Sequence, residues 1–279
     1  METIPGILAE IPARPEKLWT KGKILENGFE GIAVVGTRKA SAEGIAIAEE
    51  FAGVFASAGL PVISGLALGI DSAAHRGCLS VRGRTVAVLA GGIKKIYPSA
   101  NVSLAEKIIS SGGSVISEFE DEPSYPDLFL RRNRIISGLS RAVVVIEAPL
   151  KSGAVSTAAW AAEQGREVFV VPGPVTHPNY KGSHKLLRDG ARLVASPEDV
   201  LSDLGIEKPE KRTYETADIS EDAAIIMKLL KSSQKAVPID KIVSMTRLEP
   251  QKVLSALTEL HIINEVIETP SGYSLAFKS

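Results

Sequence analysis

The chain has one cysteine, Cys78, so no internal disulfide can form, and that usage fits a reducing cytoplasm. Aromatic residues make up only 5%, so any stacking surface must be built from few positions. The chain has four histidines, and no group of Cys and His residues stands around His75 that could complete a metal's ligand set. No apolar run approaches the about 20 residues that cross a bilayer. The opening residues, METIPGILAEIPARPEK, lack the basic start and long apolar segment of a secretory leader. A cytoplasmic location is therefore expected. Net charge is −1, so the composition as a whole offers no attraction to a polyanion.

What is present is a length of 279 residues, 44% of them hydrophobic, enough for one α/β domain with a smaller appendage. The cations are placed unevenly. Arg38-Lys39, Lys94-Lys95, Arg131-Arg132 with Arg134, Lys151 and Lys181 all fall in or beside expected loops. The run Ala142 to Ile146 is β-branched and continuous, the pattern of a parallel strand buried on both faces. Glu147, Pro149, Lys151, Ser152 and Gly153 form a polar loop after it. Thr157 then opens an Ala-rich helix to Gln164, Gly165 closes it, and Arg166 to Val171 is the next strand. That makes a βαβ unit, and in an open parallel sheet the loops at the strand carboxyl ends carry the ligand.

Taken in order, residues 1–30 read as an arm packed on the main domain. Ile32 to Val35 is the first strand, followed by Gly36-Thr37-Arg38-Lys39-Ala40-Ser41, with Ser41 placed to cap a helix to about Ala58. A glycine turn, a hydroxyl, a cation and a helix N-terminus make a phosphate site on physical grounds, and a plain βα turn with a capping serine is the bland alternative. Gly182-Ser183 opens a further helix and invites the same reading. His75 suits a structural tie between its helix and a neighbouring loop, and the acidic run Glu118 to Glu122 a solvated loop. Residues 31–205 thus form the first domain and 206–220 a charged, aperiodic linker. Residues 221–279 read as three short helices and a hairpin around Pro270-Ser271-Gly272, the pattern of a winged helix. That module holds seven Lys/Arg and seven Asp/Glu, so its balance is neutral.

Six segments together resemble the DprA/Smf family of DNA-processing proteins of bacterial transformation. They are GTRKAS at 36–41, SGLALGIDSAAHRGCL at 64–79, YPSAN at 97–101, FLRRNRIISGLS at 129–140, EAPLKSGAVSTAAWAAEQGREVFVVPG at 147–173 and GSHKLLRDGARLV at 182–194. The resemblance implies a Rossmann-like, mostly parallel sheet flanked by helices, with a small C-terminal winged-helix domain. It further implies a protein that binds and protects single-stranded DNA, dimerises through the region of Lys185 to Leu204, and helps load the recombinase RecA. The residues this reading assigns to DNA are Gly36, Thr37, Arg38, Lys39, Ser41, Gly65, Phe129, Arg132, Asn133, Arg134, Lys151, Ser152, Gly153, Thr157, Gly182 and Ser183. Phe129 would wall a base pocket, or else serve as a core residue, and Asn133 and Arg134 have the alternative role of bracing the loops from beneath. No catalytic residue, metal or cofactor is assigned. The helical N-terminal domain of many family members has no counterpart in the 30 residues before the first strand.

The rival reading is an enzyme. Nucleotide phosphoribohydrolases resemble this chain in strand, glycine-loop and threonine-helix order, and carry their acid shortly after the threonine. Here Ala158, Ala159 and Trp160 follow Thr157, and no acid stands before Glu163.

Overall fold

A parallel strand buried on both faces must serve two cores at once, with alternate side chains going to each. The central strands of this protein do so. The computed structural model describes residues 4–206, 219–233, 236–262, 266–269 and 272–275. It divides into two units, residues 1–209 and 210–279. Most of the expected linker, residues 207–218, lies outside the described residues, as do Pro270 and Ser271 of the hairpin turn.

The strands of the first unit are β1 (Trp19–Gly22), β2 (Gly31–Val35), β3 (Val62–Ser64), β4 (Thr85–Val88), β5 (Ser114–Ser117), β6 (Ser140–Val145), β7 (Glu167–Val170) and β8 (Arg192–Leu193). They form one sheet in the order β1-β5-β4-β3-β2-β6-β7-β8. Every pairing is parallel except that of β1 with β5. Its helices are α1 (Gly6–Ala9), α2 (Ala42–Ser57), α3 (Ile70–Ser80), α4 (Val102–Ser110), α5 (Pro126–Gly138), α6 (Gly153–Glu163), α7 (Lys181–Arg188) and α8 (Pro197–Asp203). Ala33 and Val35 of β2, with Val143 and Val145 of β6, pack against Leu8, Ile135, Leu139 and Ala158. Their neighbours Ile32, Val34, Ala142 and Val144 pack on the other face against Phe51, Phe55, Ala73 and Cys78. From β2 the chain winds outward through β3, β4 and β5, then returns along α5 to lay β6 on the other side of β2. The winding reverses there, and the carboxyl ends of β2 and β6 splay apart as a crevice.

Of three details beyond the expectations, two are corrections and one, the second, extends an arm that packs on the main domain as expected. The helix after β6 begins at Gly153, one turn before Thr157, because Ser152 is its cap and accepts a hydrogen bond from the Val155 amide at 3.3 Å. Thr157 instead donates to the Gly153 carbonyl at 3.0 Å. Second, the N-terminal arm contributes a strand, β1, which pairs antiparallel with β5 from Trp19 opposite Ser117 to Gly22 opposite Ser114. Four residues reading Trp-Thr-Lys-Gly carry no alternation that would announce it. Third, His75 ties α3 to a strand and not to a loop. Its Nδ1 lies 2.7 Å from Thr85 Oγ1, and that hydroxyl donates onward to the Val62 carbonyl at 2.7 Å. The imidazole therefore donates through Nδ1.

In the second unit, α9 (Glu221–Ser232), α10 (Ile239–Thr246) and α11 (Pro250–Ile262) precede an antiparallel pair, β9 (Val266–Thr269) and β10 (Gly272–Leu275). Ile226, Leu230, Ile242, Val253, Leu257 and Leu260 make its core. Val237 and Tyr273 exchange backbone hydrogen bonds at 2.8 and 2.9 Å, which fastens the start of α10 to the hairpin. No helix among the described residues is long and apolar enough to cross a membrane.

Burial, with Arg132 and Arg76 nearby, lowers the His75 pKa from 6.5 to about 3. Between those values the unfolded chain binds the proton and the folded chain does not, so stability falls as pH drops through that window. The thermal midpoint of the first unit should decline from pH 6.5 toward 3, and the decline should be shallower in His75→Phe. Equal slopes for both proteins would show that His75 contributes nothing to it.

Candidate functional site

The crevice between the ends of β2 and β6 holds a cavity of about 610 Å³. One wall is Gly36-Thr37-Arg38, the turn that leaves β2. Gly36 is required there, since a Cβ would lie 2.5 Å from Ile70 Cγ1 and 2.9 Å from the Glu147 carbonyl. The opposite wall is Lys151 to Ala154, the loop after β6 and the first turn of α6. The amides of Gly153 and Ala154 begin that helix and so lack intrahelical acceptors, and exposed Lys151 stands beside them. The third side is α5, which presents Phe129, Arg132 and Asn133.

Phe129 is half-buried, which sets aside a core role. The Arg38 guanidinium lies over its ring, 4.6 Å from the centroid. The ring of Tyr97, 52% exposed, meets Phe129 edge-on at 6.0 Å. A cation and two aromatic rings thus share the mouth of the cavity. Tyr97 is absent from the sequence assignment. An aromatic in the polar turn YPSAN, past the carboxyl end of β4, was the available signal.

The floor is a buried polar set. Arg132 donates to the carbonyls of Gly65, at 2.8 Å, and Val88, and its Nε reaches Asn133 Oδ1 at 3.3 Å. Asn133 donates in turn to the Gly153 carbonyl at 3.1 Å, so it braces the Lys151 loop from beneath. Asp71 accepts from the Gly65 amide at 3.1 Å. Burial raises the Asp71 pKa, and the nearby Arg132 charge opposes that shift. Burial lowers the Arg132 pKa to about 10, with Asp71 acting against it. Gly65 fits only as glycine: a Cβ would sit 2.5 Å from an Arg132 nitrogen and 2.6 Å from Asp71 Oδ2.

The N-terminus of α2, expected to meet a phosphate, already holds an anion of the protein's own. Glu147, fully buried at the end of β6, accepts from the Ser41 amide at 3.1 Å and from the Ser41 hydroxyl. Asn179 donates to it at 2.9 Å and the Tyr180 hydroxyl at 3.3 Å. Burial pushes the Glu147 carboxyl upward, but the hydrogen bonds from Ser41, Asn179 and Tyr180 outweigh it and hold the pKa below the usual range. Ser41 also caps the helix by accepting from the Gly44 amide at 2.9 Å. Its hydroxyl is therefore spoken for, while Lys39 stays exposed outside the cavity lining.

Three further assignments lie away from the cavity. The amides of Gly182 and Ser183 both donate to the Ala148 carbonyl, at 2.8 and 3.2 Å, and Ser183 Oγ accepts from the Ala148 amide at 3.2 Å. Expected as an anion contact, this pair instead fastens α7 to the β6 loop. Arg134 forms a two-pronged ion pair with Glu118 and donates to the Ala13 carbonyl at 2.6 Å. The Glu118 side chain is only 7% exposed, so the first acid of the run expected to be solvated is a buried partner.

A doubly wound α/β domain with a polar crevice at its switch point is a ligand-binding class, and comparison narrows it. Residues 1–205 match the model of the family described as DNA recombination-mediator protein A. Protein Smf of Escherichia coli is 37% identical over 280 residues, covering 98% of this chain and 75% of that one. The X-ray structure of DNA processing protein A from Streptococcus pneumoniae is 39% identical with a TM-score of 0.67, covering 72% of this chain and 70% of that chain. The Helicobacter pylori protein, whose structure describes a single-stranded DNA binding mode, is 28% identical with a TM-score of 0.65, covering 73% of this chain and 94% of that one. The chain belongs to the DNA recombination-mediator protein A family, also called DprA or Smf.

Glu147→Gln keeps the shape but removes the charge that Ser41, Asn179 and Tyr180 bond to. It should destabilise the first unit by about 1.5–3 kcal/mol, the worth of a charge-assisted hydrogen bond. Both tryptophans lie in that unit, so urea unfolding followed by their fluorescence reads it directly. A loss below about 0.5 kcal/mol would mean that the carboxylate charge does not matter.

Proposed function

We propose that this chain binds single-stranded DNA in the crevice between β2 and β6. Arg38, Lys151 and the open amides of α6 take phosphates, and Phe129 with Tyr97 takes a base. Arg132, Asn133, Asp71 and Gly65 position those loops from below. The observation that carries the reading is Arg38 lying over Phe129 at the cavity mouth, a backbone cation and a stacking face in one place. The single-strand binding described for the Helicobacter pylori relative supports it.

In the cell the bound strand would be incoming DNA during transformation, protected and passed to RecA, and the recombination-mediator description of the family supports that step. We also propose a homodimer through Lys185 to Leu204, a region where Leu193 on edge strand β8 is 58% exposed. The C-terminal unit is read as a winged helix of neutral charge that leaves strand binding to the first unit. A cytoplasmic site suits the free, buried Cys78.

We read the protein as a binder and not an enzyme. Glu163, the first acid after Thr157, is exposed at the far end of α6, and Asp71 is engaged by Gly65 beside Arg132.

Fluorescence anisotropy with labelled oligothymidine tests this. Arg38→Ala should weaken binding and reduce the salt slope by about 0.7, one single-strand phosphate. Phe129→Ala should cost about 1–3 kcal/mol. Unchanged affinity in both folded variants would remove the crevice as the site. Hydrolysis of a nucleoside monophosphate would restore the enzyme reading.

A further inference from the structure

A second cavity of about 610 Å³ lies on the other flank of α5. Phe129, Arg132 and Asn133 face the first cavity, whereas Arg131 and Arg134 face this one, as a turn of about 100° per residue dictates. The N-terminal arm, from Ala13 to Trp19, and Trp160 of α6 complete its walls. Both of the chain's 2 tryptophans line it, each half-buried.

The chemistry of the lining is specific. Lys17 Nζ stands 4.2 Å from the centre of the Trp19 ring system, and the Arg131 guanidinium 5.5 Å from that of Phe119. Arg134 and Glu118 cancel as an ion pair, which leaves Arg14, Lys17 and Arg131 against Glu16, with Arg131 also 3.4 Å from Glu118. Two flat faces, Trp19 and Phe119, each beside a cation, suit a ligand that alternates rings with negative charge.

We propose that this cavity is a second base-stacking subsite for the same single strand, an inference that rests on the function proposed above. The crest of α5 between the two cavities carries Leu130 and Arg131, 51% and 57% exposed. A helix with its side chains is about 10–12 Å across, a width that a few nucleotides of single strand cover. A strand seated against Phe129 therefore reaches Trp19 and Trp160 by crossing that crest, with Arg131 contacting its backbone on the way.

The tryptophans make the test direct, since none lines the first cavity. Full-length protein is titrated with oligothymidines of about four and about sixteen nucleotides, following tryptophan emission and, separately, anisotropy. The long strand should quench the emission. Trp19→Leu and Trp160→Leu, checked for folding by circular dichroism, should each weaken the long strand by about tenfold and leave the short one unchanged. Arg38→Ala should weaken both. Long-strand binding without quenching, or undiminished in both tryptophan variants, would overturn the subsite while leaving the first crevice intact. Quenching by a poly-glutamate-tyrosine peptide but not by the strand would also overturn it, in favour of a peptide partner. Loss of all oligothymidine binding would overturn both readings.

Discussion

A single buried guanidinium fixes the geometry on which the site depends. Arg132 reaches from α5 to the carbonyls that end β3 and β4, and passes its orientation through Asn133 to the loop that opens α6. An unpaired buried charge costs several kcal/mol. Here two carbonyls, an amide oxygen and the nearby Asp71 charge meet it, and the same contacts hold three separate strand ends in register. The glycine at 65 follows from this arrangement, because the guanidinium and Asp71 occupy the space of its missing side chain. The floor is thus rigid and already satisfied, and the groups left at the surface above it are a cation, a lysine, two aromatic rings and two helix amides.

The two helix N-termini at the crevice have divided their roles. That of α2 is closed by Glu147, which binds Ser41, Asn179 and Tyr180 and so ties the loop after β2 to the segment after β7. That of α6 is capped by Ser152, and its first amides lack intrahelical acceptors beside the cavity. An incoming phosphate near Glu147 would meet a like charge, which directs the backbone toward Arg38 and Lys151. The carboxylate therefore does two things: it completes the fold locally, and it biases where a polyanion can lie.

Much of this was readable from residues. The β-branched run at 142–146 announces a doubly buried strand, and Ser41 announces the cap it makes. Placing strand ends on one edge of a sheet grouped Gly36 to Ser41 with Lys151 to Gly153, and with Gly182-Ser183, which the structure sets apart, while Phe129 to Asn133 came from the family resemblance. What stayed hidden depended on distant partners. Glu147 meets Ser41 across 106 positions, and nothing local distinguishes it from a solvated loop acid. Gly182-Ser183 and Arg134 look like anion-binding residues by type, yet their donors are taken by Ala148, Ala13 and Glu118. The short edge strand at Trp19 offers no period to detect, because pairing with β5, and not a pattern of its own, makes it a strand.

The central claim is that the crevice of the first unit, and not the C-terminal unit, holds the strand. Photocrosslinking a 4-thiothymidine oligonucleotide to the full-length protein, followed by mass mapping of the modified peptides, tests it most directly. The account predicts adducts at Phe129 or Tyr97, suppressed by an excess of unmodified oligothymidine. Adducts confined to residues 221–279, with none in the first unit, would contradict it.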